Sequence, residues 1–182
     1  MKLFVNGENI DSLRGYVFCD ADFLTILFKN KDFLEGVLPL FSEKFLVVDP
    51  LTKLEFLRDV YAPEQRILKE QFISKIFLTA EYQQEIFRAL DTNALILSRI
   101  YAHRKRPGAS LVDLFLAARL MRLSKNATLI TGNAKDFPSF IFDTLSIINF
   151  EEKDGVVRAI PLLRFNEDKF KQCQLDYSKM KI

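Results

Sequence analysis

Short apolar runs that close on carboxylates constrain this chain more than any other feature. Gly15-Tyr16-Val17-Phe18-Cys19 has the length of a buried strand rather than a helix, and it ends on Asp20. Ala127-Thr128-Leu129-Ile130-Thr131 is a second such run, and Asp136 follows it closely. Two more acids, Glu55 and Asp113, stand near the starts of helical patterns. In an open α/β sheet the carboxyl ends of the strands face the crevice where ligands bind. Carboxylates gathered there repel one another unless a cation joins them, and hard oxygen donors suit Mg²⁺ or Mn²⁺. The first expectation is a metal-dependent site that handles phosphate esters.

The rest of the chain alternates between strand and helix patterns. Leu3 to Val5 reads as a short strand stopped by Asn6-Gly7, and Phe45-Leu46-Val47-Val48 as a further core strand. Helical patterns cover Asp22 to Phe28, Lys31 to Phe45 with a break expected at Pro39, and Leu51 to Val60 after Asp49-Pro50. Others run from Glu64 to Leu78, from Ala80 to about His103, and from Leu111 to about Leu123. Ser146-Ile147-Ile148 and Val156 to Ile160 are later strands, joined by the hairpin signal Asp154-Gly155. Such alternation predicts an α/β fold with a mainly parallel sheet covered on both faces.

Composition narrows the class. With 182 residues the chain fits one domain with a sizeable core, and 18 Phe without any Trp predicts that much of that core is aromatic. Two cysteines, Cys19 and Cys173, make no disulfide framework, which favours a reducing cytoplasm. The first residues turn polar too soon for a secretory signal, and no apolar run approaches the ~18 residues of a membrane span. His103 is the only histidine, which removes His-based acid–base chemistry and a His-ligated zinc site.

Each candidate also has a plain structural use. Asp20, at a strand end, is equally suited to cap the next helix, and Glu55, near a helix start, complements the helix dipole. Asp113 stands three residues after Ser110, as in a capping box, yet its neighbours Leu111, Val112, Leu114 and Phe115 are apolar and a carboxylate among them needs a partner. Thr131, Asn133 and Asp136 place three oxygen-bearing side chains within six positions, and Gly132 among them permits close backbone approach.

Four segments in order resemble the PIN-domain nucleases, most nearly the VapC-like toxins of bacterial toxin–antitoxin pairs. They are Tyr16-Val17-Phe18-Cys19-Asp20-Ala21-Asp22, Pro50-Leu51-Thr52-Lys53-Leu54-Glu55-Phe56-Leu57, Leu111-Val112-Asp113-Leu114-Phe115-Leu116-Ala117-Ala118, and Leu129-Ile130-Thr131-Gly132-Asn133-Ala134-Lys135-Asp136-Phe137. The last is the most specific. The resemblance spans about residues 16–150, leaving residues 1–15 as an N-terminal extension and residues 151–182 as a C-terminal hairpin and tail of a single domain. It implies a three-layer α/β/α PIN-like fold and Mg²⁺- or Mn²⁺-dependent endonucleolytic hydrolysis of RNA. Asp20, Glu55, Asp113 and Asp136 match the acidic metal-binding positions, Asn133 and Thr131 stand beside them as catalytic-site residues, and Asp22 is an additional candidate ligand. It also implies an antitoxin partner and a homodimer.

Basic residues Arg104, Lys105 and Arg106, preceded by Arg99 and His103, offer an RNA-backbone patch or a solvated helix end. The apolar stripe Ile86, Leu90, Leu97 and Ile100 suits either a dimer interface or packing on the chain's own sheet. Two other readings compete. Asp20-Ala21-Asp22 also resembles the first motif of haloacid-dehalogenase-like phosphatases, although that reading leaves Glu55 and Asp113 unexplained. The other is a non-catalytic PIN-like module that binds RNA or protein.

Overall fold

The computed structural model describes residues 2–10, 13, 15–58, 60–105, 109–152 and 155–179. Seven strands form one mixed sheet: β1 (Leu3–Gly7), β2 (Tyr16–Cys19), β3 (Phe45–Val48), β4 (Leu78–Thr79), β5 (Ala127–Ile130), β6 (Phe142–Glu151) and β7 (Val157–Phe165). Their spatial order is β1-β6-β7-β5-β2-β3-β4. Strands β5, β2, β3 and β4 run parallel, while β1, β6 and β7 extend the sheet antiparallel beyond β5.

Among the described residues seven α-helices cover this sheet: α1 (Ala21–Lys29), α2 (Lys31–Val37), α3 (Pro50–Leu57), α4 (Pro63–Ile76), α5 (Gln84–His103), α6 (Leu111–Leu123) and α7 (Glu167–Lys179). Side chains alternate across a strand, so each strand feeds two cores. Phe18, Val47 and Leu129 point to a cluster completed by Leu90, Leu97, Leu116 and Phe170. Val17, Cys19, Val48 and Ile130 point to the opposite cluster, with Phe23, Leu27, Phe33 and Ile73. The result is a three-layer α/β/α arrangement. The aromatic content is used as expected: Phe33 stacks on Phe150 at 4.0 Å, and Phe137, Phe142, Phe165 and Phe170 meet in sequence edge to face or tilted.

Several boundaries differ from the sequence pattern. The Lys31 helix stops at Val37 and Pro39 lies in a 3₁₀ turn over Leu38–Phe41, in keeping with a ring that cannot continue the helix. Helix α3 ends at Leu57, not Val60, and α5 begins at Gln84, not Ala80. Of the hairpin signal, Asp154 lies outside the described residues, while Gly155 takes φ +81° between the paired strands β6 and β7. The tail is a helix: α7 buries Phe170 and Cys173 against the core. The stripe on α5 packs inward, with Leu90, Leu97 and Ile100 all buried in the chain's own core. Among the described residues no helix is long and apolar enough to cross a membrane.

Strand register places the functional edge. Cys19 lies opposite both Val48 and Ile130, so the next residue of each strand, Asp20, Asp49 and Thr131, emerges side by side at the carboxyl end of the parallel strands.

Candidate active site

Asp20 is held by three hydrogen bonds at this edge. It is buried and caps α1, its Oδ1 accepting from the Phe23 N–H at 2.7 Å and from the Gly132 N–H at 3.2 Å. Its Oδ2 accepts from the hydroxyl of Thr131, itself fully buried. A Cβ on residue 132 would stand 2.9 Å from Asp22 Cβ, so only glycine lets this loop come close enough to donate. The helix cap foreseen for Asp20 is therefore real, but it engages one oxygen. Of the four lone-pair sites of a carboxylate, one on Oδ2 remains.

The other acids come from separate elements. Asp113 lies in the first turn of α6, where a complete capping box forms: its N–H donates to Ser110 Oγ at 3.2 Å and its Oδ2 accepts from the Ser110 N–H at 3.0 Å. It is half-buried rather than enclosed by its apolar neighbours. Asp136 sits in a short 3₁₀ turn, its Oδ2 held by the Asn133 amide at 2.7 Å. The Asn133 N–H in turn donates to Thr131 Oγ1 at 2.8 Å. Glu55 projects half-buried from the last turn of α3, 3.7 Å from Arg58.

Asp20, Asp22, Glu55, Asp113, Asn133 and Asp136 line one cleft of about 770 Å³. Their charges act on one another. Burial first, then Asp113, Asp22 and Asp136, push the Glu55 carboxyl up against the pull of Arg58. Burial, Asp113 and Asp22 raise Asp136. Burial raises Asp20 to about 7 despite its three hydrogen bonds, and Asp22 adds to the rise. Behind α6, the buried Tyr101 hydroxyl has no hydrogen-bond partner among the described residues and is also pushed up, by burial and by Asp113 and Asp136.

This electrostatics has a measurable consequence for the metal-free protein. A carboxyl raised in the folded state holds a proton that the unfolded chain releases near pH ~4. Its stabilisation is complete below that pH and is lost as pH climbs through about 7. Glu55 and Asp136 act in the same sense. Asp143, held low chiefly by Lys169, acts in the opposite sense, but only below the ordinary carboxylate range. The unfolding free energy in EDTA, read from urea titrations, is expected to fall between pH 5 and 7.5, by about a few kcal/mol. A stability that is flat or rising across that interval would show that these carboxyls are not raised in the folded protein.

Among the described residues no three carboxylate, thiol or imidazole groups stand close enough to enclose an ion by themselves. The donor set nonetheless fits a hard divalent cation. Mg²⁺ keeps several waters and is commonly held by one or two carboxylates together with substrate phosphates. Asp20 Oδ2, Glu55, Asp113 and Asp136 are the residues that would hold it, with Asp22 at the rim.

Other sequence candidates lie elsewhere. Arg104 closes α5 and pairs with Asp176 of α7 at 2.6 Å, and exposed Lys105 follows it. Neither lines the cleft, and Arg106 lies outside the described residues. His103 faces Tyr177 of α7. The cations of the cleft are instead Lys29, Arg58 and Lys69, which are far apart in sequence. A second group escaped the sequence pattern altogether. Asp49, buried at the end of β3, caps α3 and accepts from Leu51 N–H at 3.0 Å, from the Tyr82 hydroxyl at 2.8 Å and from Arg119 Nε at 2.7 Å. Arg119 comes from α6, points away from the Asp113 face, and lies over the Tyr82 ring at 4.8 Å. This buried pair ties together the helices that carry Glu55 and Asp113.

No protein-family model and no curated protein matches this sequence. Among solved structures, the chain is similar to one from the crystal structure of DNA-bound VapBC from Salmonella typhimurium. The TM-score is 0.52 at 15% identity, covering 68% of this chain and 90% of that one. At that identity the likeness is one of fold, and it matches the three-layer arrangement described above.

Proposed function

We propose that this chain is a Mg²⁺- or Mn²⁺-dependent endoribonuclease of PIN type, its 182 residues forming one domain. The observation that carries the reading is the convergence of Asp20, Asp22, Glu55, Asp113 and Asp136 on one cleft, where burial first and neighbouring carboxylates second raise the protonation of Asp20, Glu55 and Asp136. Carboxylates that repel one another are a poor structural device, and a cation shared between them and a substrate phosphate would relieve the repulsion. The fold is like that of a chain of a DNA-bound VapBC complex, and the proposal extends to a place as the toxin of a toxin–antitoxin pair, cytoplasmic and homodimeric.

Bound in the cleft, a divalent cation would neutralise the phosphodiester and lower the pKa of an attacking water. The protein's own part is placement. Thr131 and the Phe23 and Gly132 amides fix Asp20, Asn133 fixes Asp136, and the Ser110 cap fixes Asp113. Thr131 and Asn133 are thus positioning residues. A phosphatase using Asp20 as nucleophile fits less well. That carboxylate is buried and three hydrogen bonds already restrain it, and Glu55 and Asp113 would have no role.

The test is cleavage of a panel of RNAs with and without Mn²⁺, alongside melting. A cation that binds only the native state stabilises it by about 1.4 kcal/mol at ten times its Kd. For a chain of this size that raises Tm by about 3–6 °C. A Tm indifferent to millimolar Mg²⁺ and Mn²⁺, together with no cleavage of any RNA, overturns the reading.

A further inference from the structure

The carboxylates occupy only part of the cleft. The remainder is walled by Thr25, Phe28 and Lys29 from α1, by Phe56 and Arg58 at the end of α3, and by Gln65, Leu68 and Lys69 from α4. A space of about 770 Å³ exceeds what one phosphate and its cation fill and matches that of a larger ligand. Three cations, Lys29, Arg58 and Lys69, line the same cleft as the acids, and Arg58 stands 3.7 Å from Glu55 where the two groups meet.

Between Val60, which lines this cleft, and the start of α4 stands Tyr61, 97% exposed. Leu68, 56% exposed, lies on the wall itself. An aromatic normally gains stability by burying its ring, and Tyr61 buries almost none of it. Cations in a cleft with an exposed ring next to it in the chain suit an unpaired nucleic-acid strand: phosphates take the cations and a base stacks on the ring. The same arrangement suits a duplex poorly, because a paired base offers no free face to a side chain.

We propose that Lys29, Arg58, Gln65, Leu68 and Lys69, with Tyr61 at the rim, form a ledge that holds a single-stranded RNA beside its scissile bond. The proposal rests on reading the carboxylates as a phosphodiester site. A polyanion whose central phosphate sits at carboxylates must lay its neighbouring phosphates where cations meet them, and Lys29, Arg58 and Lys69 of the same cleft supply these. Lys69 is anchored in this wall. Its Nζ donates to the Phe56 carbonyl at 2.6 Å and lies 4.2 Å over the Phe56 ring, which fixes α4 against α3.

The chain has no tryptophan, so Tyr61→Trp installs a unique fluorophore on the ledge. The experiment titrates the full chain, in an Asp113→Asn background with Mn²⁺, with a mixed-sequence single-stranded RNA and with the same sequence as a duplex. The Trp emission is expected to change on saturation with the single strand. Tyr61→Ala is expected to weaken single-strand binding about tenfold or more, Tyr61→Phe to retain it, and the melting temperature of both to stay put. Lys29→Gln and Arg58→Gln together are expected to lower the slope of log affinity against log salt by about 1.4. Unchanged affinity in Tyr61→Ala, equal preference for the duplex, or no binding at all overturns the ledge. Normal Mn²⁺-dependent cleavage by a protein carrying Tyr61→Ala alone, with its KM unchanged, overturns the ledge and leaves the nuclease intact. Ledge-dependent binding by a wild-type protein that never cleaves overturns the nuclease and leaves the ledge.

Discussion

Asp113→Asn is expected to abolish RNA cleavage while leaving the fold standing. The amide keeps an oxygen that accepts from the Ser110 N–H, so the capping box that starts α6 survives. What is lost is one anionic oxygen ligand and one negative charge beside Glu55 and Asp136, both of which Asp113 now raises. The drop in kcat/KM should exceed the 10–100-fold that removal of a mere outer-shell partner causes. Stability in EDTA should hold or rise, because a repulsion has gone. Single-turnover cleavage and thermal melting of the same preparation check both halves. Cleavage at the wild-type rate by well-folded Asp113→Asn would remove this carboxylate from the mechanism.

The largest effect on stability is expected from Arg119→Met. Asp49 is 1% exposed and Arg119 7%, so deleting the guanidinium strands a buried carboxylate. Breaking such a pair from one side costs about 3–5 kcal/mol, which is a large part of the ~5–15 kcal/mol that holds a domain together. Asp49→Leu combined with Arg119→Met should recover much of that loss, short of the ~1 kcal/mol of the missing α3 cap. Urea midpoints of the two single variants and the double variant form the cycle. An Arg119→Met protein within about 1 kcal/mol of wild type would show that the pair contributes little. Because α3 carries Glu55 and α6 carries Asp113, a surviving variant should also bind Mn²⁺ more weakly.

How much of the fold and site is legible in the sequence follows from how local each signal is. The strands β2 and β3, the helix α6 and the Ser110–Asp113 cap are all encoded in adjacent residues, and they stand where expected. Gly132 is legible for the same reason. The Asp49–Arg119 pair is not: its members are 70 residues apart, and each alone has a sufficient local meaning, a helix cap and a charged helix residue. The cationic wall is hidden because Lys29, Arg58 and Lys69 are solitary in sequence. The contiguous Arg104-Lys105-Arg106 gives the stronger local signal, yet its Arg104 pairs with α7. Helix α7 itself is masked by composition, because Phe170 and Cys173 are its only buried residues and the rest of it is polar.

The sheet order carries a consequence for the timing of synthesis. Strand β1, made first, pairs with β6, whose partner residues are Ser146 to Phe150. Asp20 likewise waits for Thr131 and Gly132, more than 110 residues downstream, before its carboxyl is held. At ~5–20 residues per second, a ribosome needs on the order of ten seconds between making the first of these partners and the last. During that interval the amino-terminal strand has no neighbour and the acidic cluster is incomplete. A growing chain from which residues 131–136 have not yet emerged therefore carries no assembled cleft, and any nuclease built this way stays silent toward nearby RNA until they do.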